Sequence, residues 1–82
     1  MSNVFGTELR KEREKQGLTA EMVAEVCGVS RSYITLIENG KRLPGKKVLP
    51  KFALALQIKI ATVLNWYLMD ISQRIQANIE SV

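Results

Sequence analysis

Residues 18–44 read LTAEMVAEVCGVSRSYITLIENGKRLP, and their punctuation decides the architecture. Thr19 has the side-chain oxygen of a helix N-cap, and Glu21 follows in the first turn, where the free amides favour a carboxylate. Val23, Ala24, Val26 and Cys27 supply an inward face before Gly28 offers the φ > 0 stop that lets the chain leave one helix and enter another. Ser30 is the next cap, and the segment from Arg31 to about Asn39 places Ile34 and Ile37 inward at a spacing of three, with Gly40 closing it. Two short helices that cross steeply need a small residue where their axes approach, and Ala24 provides it.

Working outward, Asn3 is positioned to N-cap a first helix over residues 4–16, with Gly17 as its stop and Val4, Phe5, Leu9 and Leu18 on its inner side. Residues 41–48 hold Pro44 and Gly45 and read as a loop. Pro50 suits the first turn of a fourth helix ending near Leu56, whose Phe52, Ala53, Leu54 and Leu56 give it a buried face. A fifth helix is predicted over residues 60–81, with Ile60, Val63, Leu64, Leu68, Ile71, Ile75, Ile79 and Val82 recurring at steps of three and four. Trp66, Tyr67 and Met69 fall near its middle and stay open between local core and interface. No period-two run bounded by a hairpin turn occurs, so the expected fold is all-α with five helices.

Eighty-two residues leave room for one domain, and a chain of this size buries only about 60% of its unfolded surface, so a monomer is marginal and dimerisation is invited. The 46% hydrophobic and 24% charged composition is that of a folded globule. With one cysteine and no histidine, an internal disulfide, a zinc site and a Cys/His nucleophile are all disfavoured, and a reducing cytoplasmic setting is expected because no secretory leader is evident. The apolar run over residues 52–69 is interrupted by Gln57, Lys59 and Asn65 and is needed for the core, so no membrane partner is expected. Glu8, Glu12, Glu14, Glu21 and Glu25 alternate with bases at helical spacing, as solvated faces do, and no acid/base pair suggests an enzyme. The net charge is +4, and between Asn39 and Met69 there is no acid, while Lys41, Arg42, Lys46, Lys47, Lys51 and Lys59 supply six cations. That asymmetry points first to nucleic acid.

The quoted run, with LRKEREKQGL before it and LPKFALAL behind, resembles the XRE family of helix-turn-helix DNA-binding domains, the Cro and phage-repressor type, over about residues 5–64. Gly28, Ser30, Ile34, Ile37, Glu38, Gly40 and Pro44 carry the resemblance together. It implies a lambda-repressor-like domain whose helix over residues 31–38 enters the major groove, where base edges distinguish sequences. The base readers it implies are Arg31, Ser32 and Leu36, with Tyr33 and Thr35 beside them. Arg31 suits guanine O6 and N7, Ser32 and Thr35 can donate or accept, and Leu36 suits a thymine methyl. Competing structural roles stay open: a solvated first turn for Arg31, partial core for Leu36, packing against the preceding helix for Tyr33. Implied phosphate contacts are Thr19, Ser30, Asn39, Lys41 and Arg42, with Lys46 and Lys47 divided between that role and an ordinary solvated loop. The resemblance also pairs Glu38 with Arg13 as a structural ion pair; no cofactor is expected, and the small size leaves no ligand-sensing domain, so no small-molecule ligand is expected either.

Three departures stand out. Ala20 replaces a phosphate-contacting glutamine, Glu12 occupies a position usually apolar, and Gln57 and Lys59 replace the Gly and Ser that separate the last two helices, leaving that boundary in doubt. Residues 65–82 extend beyond the resemblance, so the expected organisation is a DNA-binding unit over residues 1–64 with a dimerisation helix over residues 65–82 in the same compact domain. Leu68, Ile71, Ile75 and Ile79 alternate there with Asp70, Gln73, Arg74 and Asn78, a pattern that fits an antiparallel or crossing helix pair from the two subunits of a homodimer. Such a dimer presents its recognition helices about 34 Å apart, matched to a pseudo-palindromic operator on double-stranded DNA. The expectation is a cytoplasmic bacterial, phage or plasmid regulator; the alternative is a helical module that docks a protein partner through the last helix. A phage or plasmid repressor, a restriction-modification controller and an antitoxin share this pattern equally.

Overall fold

Thr19 and Ser30 start the two central helices by the mechanism their chemistry suggests. Thr19 Oγ1 accepts from the amide of Met22 and Ser30 Oγ from that of Tyr33, both at 3.1 Å, satisfying donors that have no partner inside the helix. The computed structural model describes residues 3–80 and contains five helices: α1 (Val4–Lys15), α2 (Ala20–Cys27), α3 (Arg31–Glu38), α4 (Leu49–Leu56) and α5 (Ile60–Glu80). No strand occurs among the described residues. Ser81 and Val82, the expected end of α5, lie outside them.

Gly28 takes φ +67° between α2 and α3, a conformation that costs an L side chain about 1 kcal/mol or more. The doubtful boundary between the last helices resolves the same way without a glycine. Gln57 adopts φ +54° as the C-cap of α4, and the Ile58 amide closes the turn on the Ala53 carbonyl at 3.0 Å. Gln16 adds a side-chain cap, donating Nε2 to the Leu56 carbonyl at 2.7 Å.

Phe5 organises the core. Its ring lies 5.6 Å from Phe52, with Trp66 and Tyr67 edge-on at 6.0 and 6.4 Å. Leu9, Val23, Cys27, Ile34, Ile37, Leu56 and Val63 complete a continuous buried cluster. In this arrangement α1 packs on α3 and α5, α2 on α3 and α4, and α4 on α5. Trp66 and Tyr67 therefore belong to the local core, whereas Met69 is exposed. Val26 and Leu54, expected inward, are exposed, and Val4 is only half-buried. On short helices the buried stripe is narrow: Val23, Ala24 and Cys27 fill it on α2, and Val26 lands on the far side.

The apolar pattern of α5 splits into two stripes. Val63, Trp66, Tyr67, Asp70 and Arg74 face the domain, while Leu64, Leu68, Ile71, Ile75 and Ile79 follow a line roughly 120° further round, given 100° per residue. The second stripe is exposed apart from Ile71, which is half-buried. Asp70, one of the polar residues that alternate with the apolar stripe, is only 1% exposed. Its Oδ2 accepts the Phe5 amide at 2.9 Å, and its Oδ1 pairs with Arg74 Nε one turn on. Packing thus continues past Leu64 without a break.

Asn3 also departs from expectation. It precedes α1 but makes no side-chain capping bond there, because Asp70 already serves the α1 amide and Asn3 donates Nδ2 to the Glu38 carbonyl at 3.2 Å.

Candidate nucleic-acid interface

The C-terminal end of α3 is held from behind by two helices, α1 and α5. Arg13 of α1 forks onto Glu38, Nε to Oε2 at 2.7 Å and Nη2 to Oε1 at 3.1 Å, and donates Nη1 to the Leu18 carbonyl at 2.8 Å. The bidentate geometry satisfies a carboxylate that is 8% exposed, and the bond to Glu38 holds the Arg13 guanidinium further above its ordinary range. Gly6 lets α1 approach so closely that a Cβ there would collide with the carbonyl oxygens of Ile37 and Glu38. From α5, Arg74 reaches the Gly40 carbonyl at 3.5 Å. Ile34 and Ile37 anchor the inner side of α3 in the core.

The opposite side is open. Arg31, Ser32, Thr35 and Leu36 are exposed around one shallow cleft of about 410 Å³. Leu36 is 39% exposed, so it projects outward and does not join the core. Thr35 Oγ1 donates to the Arg31 carbonyl at 3.2 Å, which commits its proton and leaves lone pairs and a methyl group facing out. Arg31 also borders a second cleft with Arg13, Leu18, Thr19, Ala20 and Glu21, at the end of α2 where the glutamine donor is missing.

Tyr33 lies apart from that cluster. Half-buried, its hydroxyl accepts the Gly45 amide at 2.9 Å, and the Arg42 guanidinium sits 4.9 Å from its ring centroid. Asn39, Lys41, Arg42, Lys46 and Lys47 are all exposed along the segment that follows α3. Thr19 and Ser30 are exposed as well, and since each accepts its capping bond, each keeps a hydroxyl proton for an outside acceptor. The surface therefore combines a row of side chains that can meet base edges with donors and cations beside it that suit phosphates.

Three contributors escaped sequence reasoning. Gly6 gave a faint signal as a glycine inside a helical stretch, which marks close backbone approach. Asp70 gave none, because a carboxylate at a helical polar position looks solvated until the partner 65 residues away is known. The bond from Gly45 to Tyr33 depends on a loop path that no local rule fixes.

A short capped helix displayed on a second one, its tip braced from behind and its flanks basic, defines a helix-turn-helix domain. The helix-turn-helix family model matches residues 9–63, and this chain belongs to that family, in its XRE-type branch. The transcriptional repressor RghR of Bacillus subtilis is 46% identical over 55 residues, covering 66% of this chain and 41% of RghR. ClgR of Mycobacterium tuberculosis is matched over 54% of its length, so the chain spans about half the length of these curated relatives. Among solved structures, the restriction-modification controller C.AhdI of Aeromonas hydrophila has a TM-score of 0.69 at 35% identity, covering 74% of this chain and 94% of C.AhdI. The biofilm regulator SinR, solved in complex with DNA, has a TM-score of 0.66 at 28% identity, covering 73% of this chain and 97% of that one. The DNA-binding domain of the P22 C2 repressor, at a TM-score of 0.70, 24% identity and coverage of 74% and 80%, shares the phage-repressor fold. No helix among the described residues is long and apolar enough to cross a membrane.

Proposed function

We propose that this protein is a sequence-specific DNA-binding transcription regulator that occupies a pseudo-palindromic operator as a homodimer in the bacterial cytoplasm. The observation that carries this reading is the outward row of Arg31, Ser32, Thr35 and Leu36 on a helix whose other side is locked by Ile34, Ile37 and the Arg13–Glu38 pair. Base edges in the major groove are then read by Arg31 toward guanine, by Ser32 and Thr35 as hydrogen-bonding groups, and by Leu36 against a thymine methyl. Thr19, Ser30, Asn39, Lys41, Arg42, Lys46 and Lys47 meet the phosphates on either side. The printed names of RghR and C.AhdI, a repressor and a controller, support a regulatory role, and the SinR complex supports DNA as the ligand.

The second copy is met through the outer stripe of α5, Leu68, Ile71, Ile75 and Ile79, with Leu64 extending it. Leu68 is 63% and Ile79 69% exposed in the single chain, a large apolar area for a soluble domain to leave in water. Repression follows from occupancy, because bound dimer excludes polymerase from overlapping DNA.

One observation favours a second reading, in which the same stripe docks a different protein: SinR has also been solved in a complex with SinI. Selection from random duplex DNA at two salt concentrations separates the two. A selected palindrome whose binding falls steeply with salt supports the dimeric reader. Weak binding without sequence preference overturns it in favour of the docking module.

A further inference from the structure

The loop over residues 41–48 carries Lys41, Arg42, Lys46 and Lys47 but has almost no regular structure. Long basic side chains on an unfixed loop contribute little net affinity, because ordering them on binding consumes much of what each phosphate contact gains. Here the loop is fastened to α3 at two points on one side chain. The Tyr33 hydroxyl accepts the Gly45 amide at 2.9 Å, and the Tyr33 ring carries the Arg42 guanidinium at 4.9 Å. Tyr33 lies between Ser32 and Ile34, so the ring that fastens the loop sits on the same rigid helix as the outward row. Space around the contact is ordinary, since a Cβ on Gly45 would stand 3.9 Å from the Tyr33 oxygen.

The geometry points to Tyr33 as a positioning residue and not a base reader: it holds the basic loop at a fixed offset from the recognition helix before DNA arrives. This rests on the DNA-binding reading above and adds a division of labour within it. Base identity is read by the row that begins at Arg31, and Tyr33 sets how many phosphates are engaged at once. A contact through the hydroxyl makes the role sensitive to a single atom.

The test is Tyr33→Phe in the full chain, which keeps the ring under Arg42 and deletes only the acceptor for Gly45. Hydrogen exchange of the Gly45 amide, followed by NMR without DNA, should accelerate at least severalfold while amides in the α3 core keep their protection. On DNA, affinity should fall about three- to tenfold on every sequence alike, as for loss of one hydrogen bond. The salt slope should become shallower by about one phosphate contact, and the preference among bases should stay unchanged. Unchanged Gly45 exchange overturns the fastening itself. Faster exchange with wild-type affinity and salt slope overturns its role in binding. Loss of preference at a single base pair makes Tyr33 a reader and overturns the division of labour. If the unaltered protein shows no sequence preference, the DNA-reading assignment fails and the role in binding fails with it, whereas the exchange result still judges the fastening.

Discussion

Asp70 near the middle of α5 accepts the amide of Phe5 at the start of α1, 2.9 Å apart in space and 65 residues apart in sequence. A carboxylate at the N-terminal end of a helix satisfies a free amide and meets the positive end of the helix dipole. Here the cap comes from another helix, and Arg74 balances its charge. This one contact ties the segment beyond Leu64 to the beginning of the chain. Asp70→Ala should destabilise by about 2 kcal/mol, since it strands the buried Phe5 amide and removes the partner of the half-buried Arg74. Asp70→Asn, which keeps an acceptor for Phe5, should cost less than half as much. Urea titrations of the two variants check this, and equal losses would mean that charge and not the cap matters.

The Arg13–Glu38 pair predicts a different pattern. Arg13→Ala leaves a carboxylate 8% exposed without its fork, a loss of about 3 kcal/mol at the lower end of the range for buried pairs. Arg13→Lys should recover only part, because a single ammonium cannot satisfy both carboxylate oxygens and the Leu18 carbonyl. Replacing both partners by methionine should be milder than Arg13→Ala alone. A double-mutant cycle from thermal or urea unfolding measures this, and additive losses would show that the pair is not coupled.

For the outward row, Arg31→Ala should weaken binding to the selected operator by about 1–3 kcal/mol and relax preference at one base pair per half-site. Repeating the selection with the variant reads both effects. An unchanged consensus removes Arg31 from base reading.

Ile75 is 54% exposed in the single chain, so Ile75→Asp should leave the fold intact. In a dimer closed through α5 it puts a carboxylate into an apolar seam, and sedimentation should then show a monomer with weakened operator binding. A dimer that survives the change removes this stripe from the interface.

Cys27 sits in the core, and burial pushes its thiol up from 9.0 to about 11, with the Lys51 cation pulling slightly the other way. Because the thiol loses its proton more readily when unfolded, its contribution to stability is complete below pH 9 and declines as pH rises toward 11. The difference in unfolding free energy between wild type and Cys27→Ala should therefore shrink between those limits. A thiol reagent should leave Cys27 untouched in the native protein at neutral pH and modify it on unfolding. Rapid labelling of the folded chain would contradict the burial.

Local chemistry was legible in residues 18–44 because caps and turns act over three or four residues. Thr19 and Ser30 cap the amides their spacing selects, and Gly28 takes the left-handed turn. Asn3 had equally suitable chemistry and was misread, since a remote carboxylate took the amide it was expected to cap. Val26 and Leu54 were misread for a related reason: apolar character alone does not say which side of a short helix faces a neighbour. Of the surface that meets DNA in the proposed function, the exposed row and the flanking cations were nameable from position, whereas the fastening of the basic loop by Tyr33 was not.

The sequence by itself determined five helices, their order and nearly all their ends, because each depends on propensity, a cap or a turn residue close by in the chain. It also determined the excess of positive charge after α3, which is a matter of counting. Tertiary structure alone decided that α5 presents two faces, that Asp70 is buried on one and Ile75 exposed on the other, and that α1 and α5 brace the end of α3. Those outcomes depend on which helices meet and at what angle, and that angle is settled by the whole core around Phe5 at once.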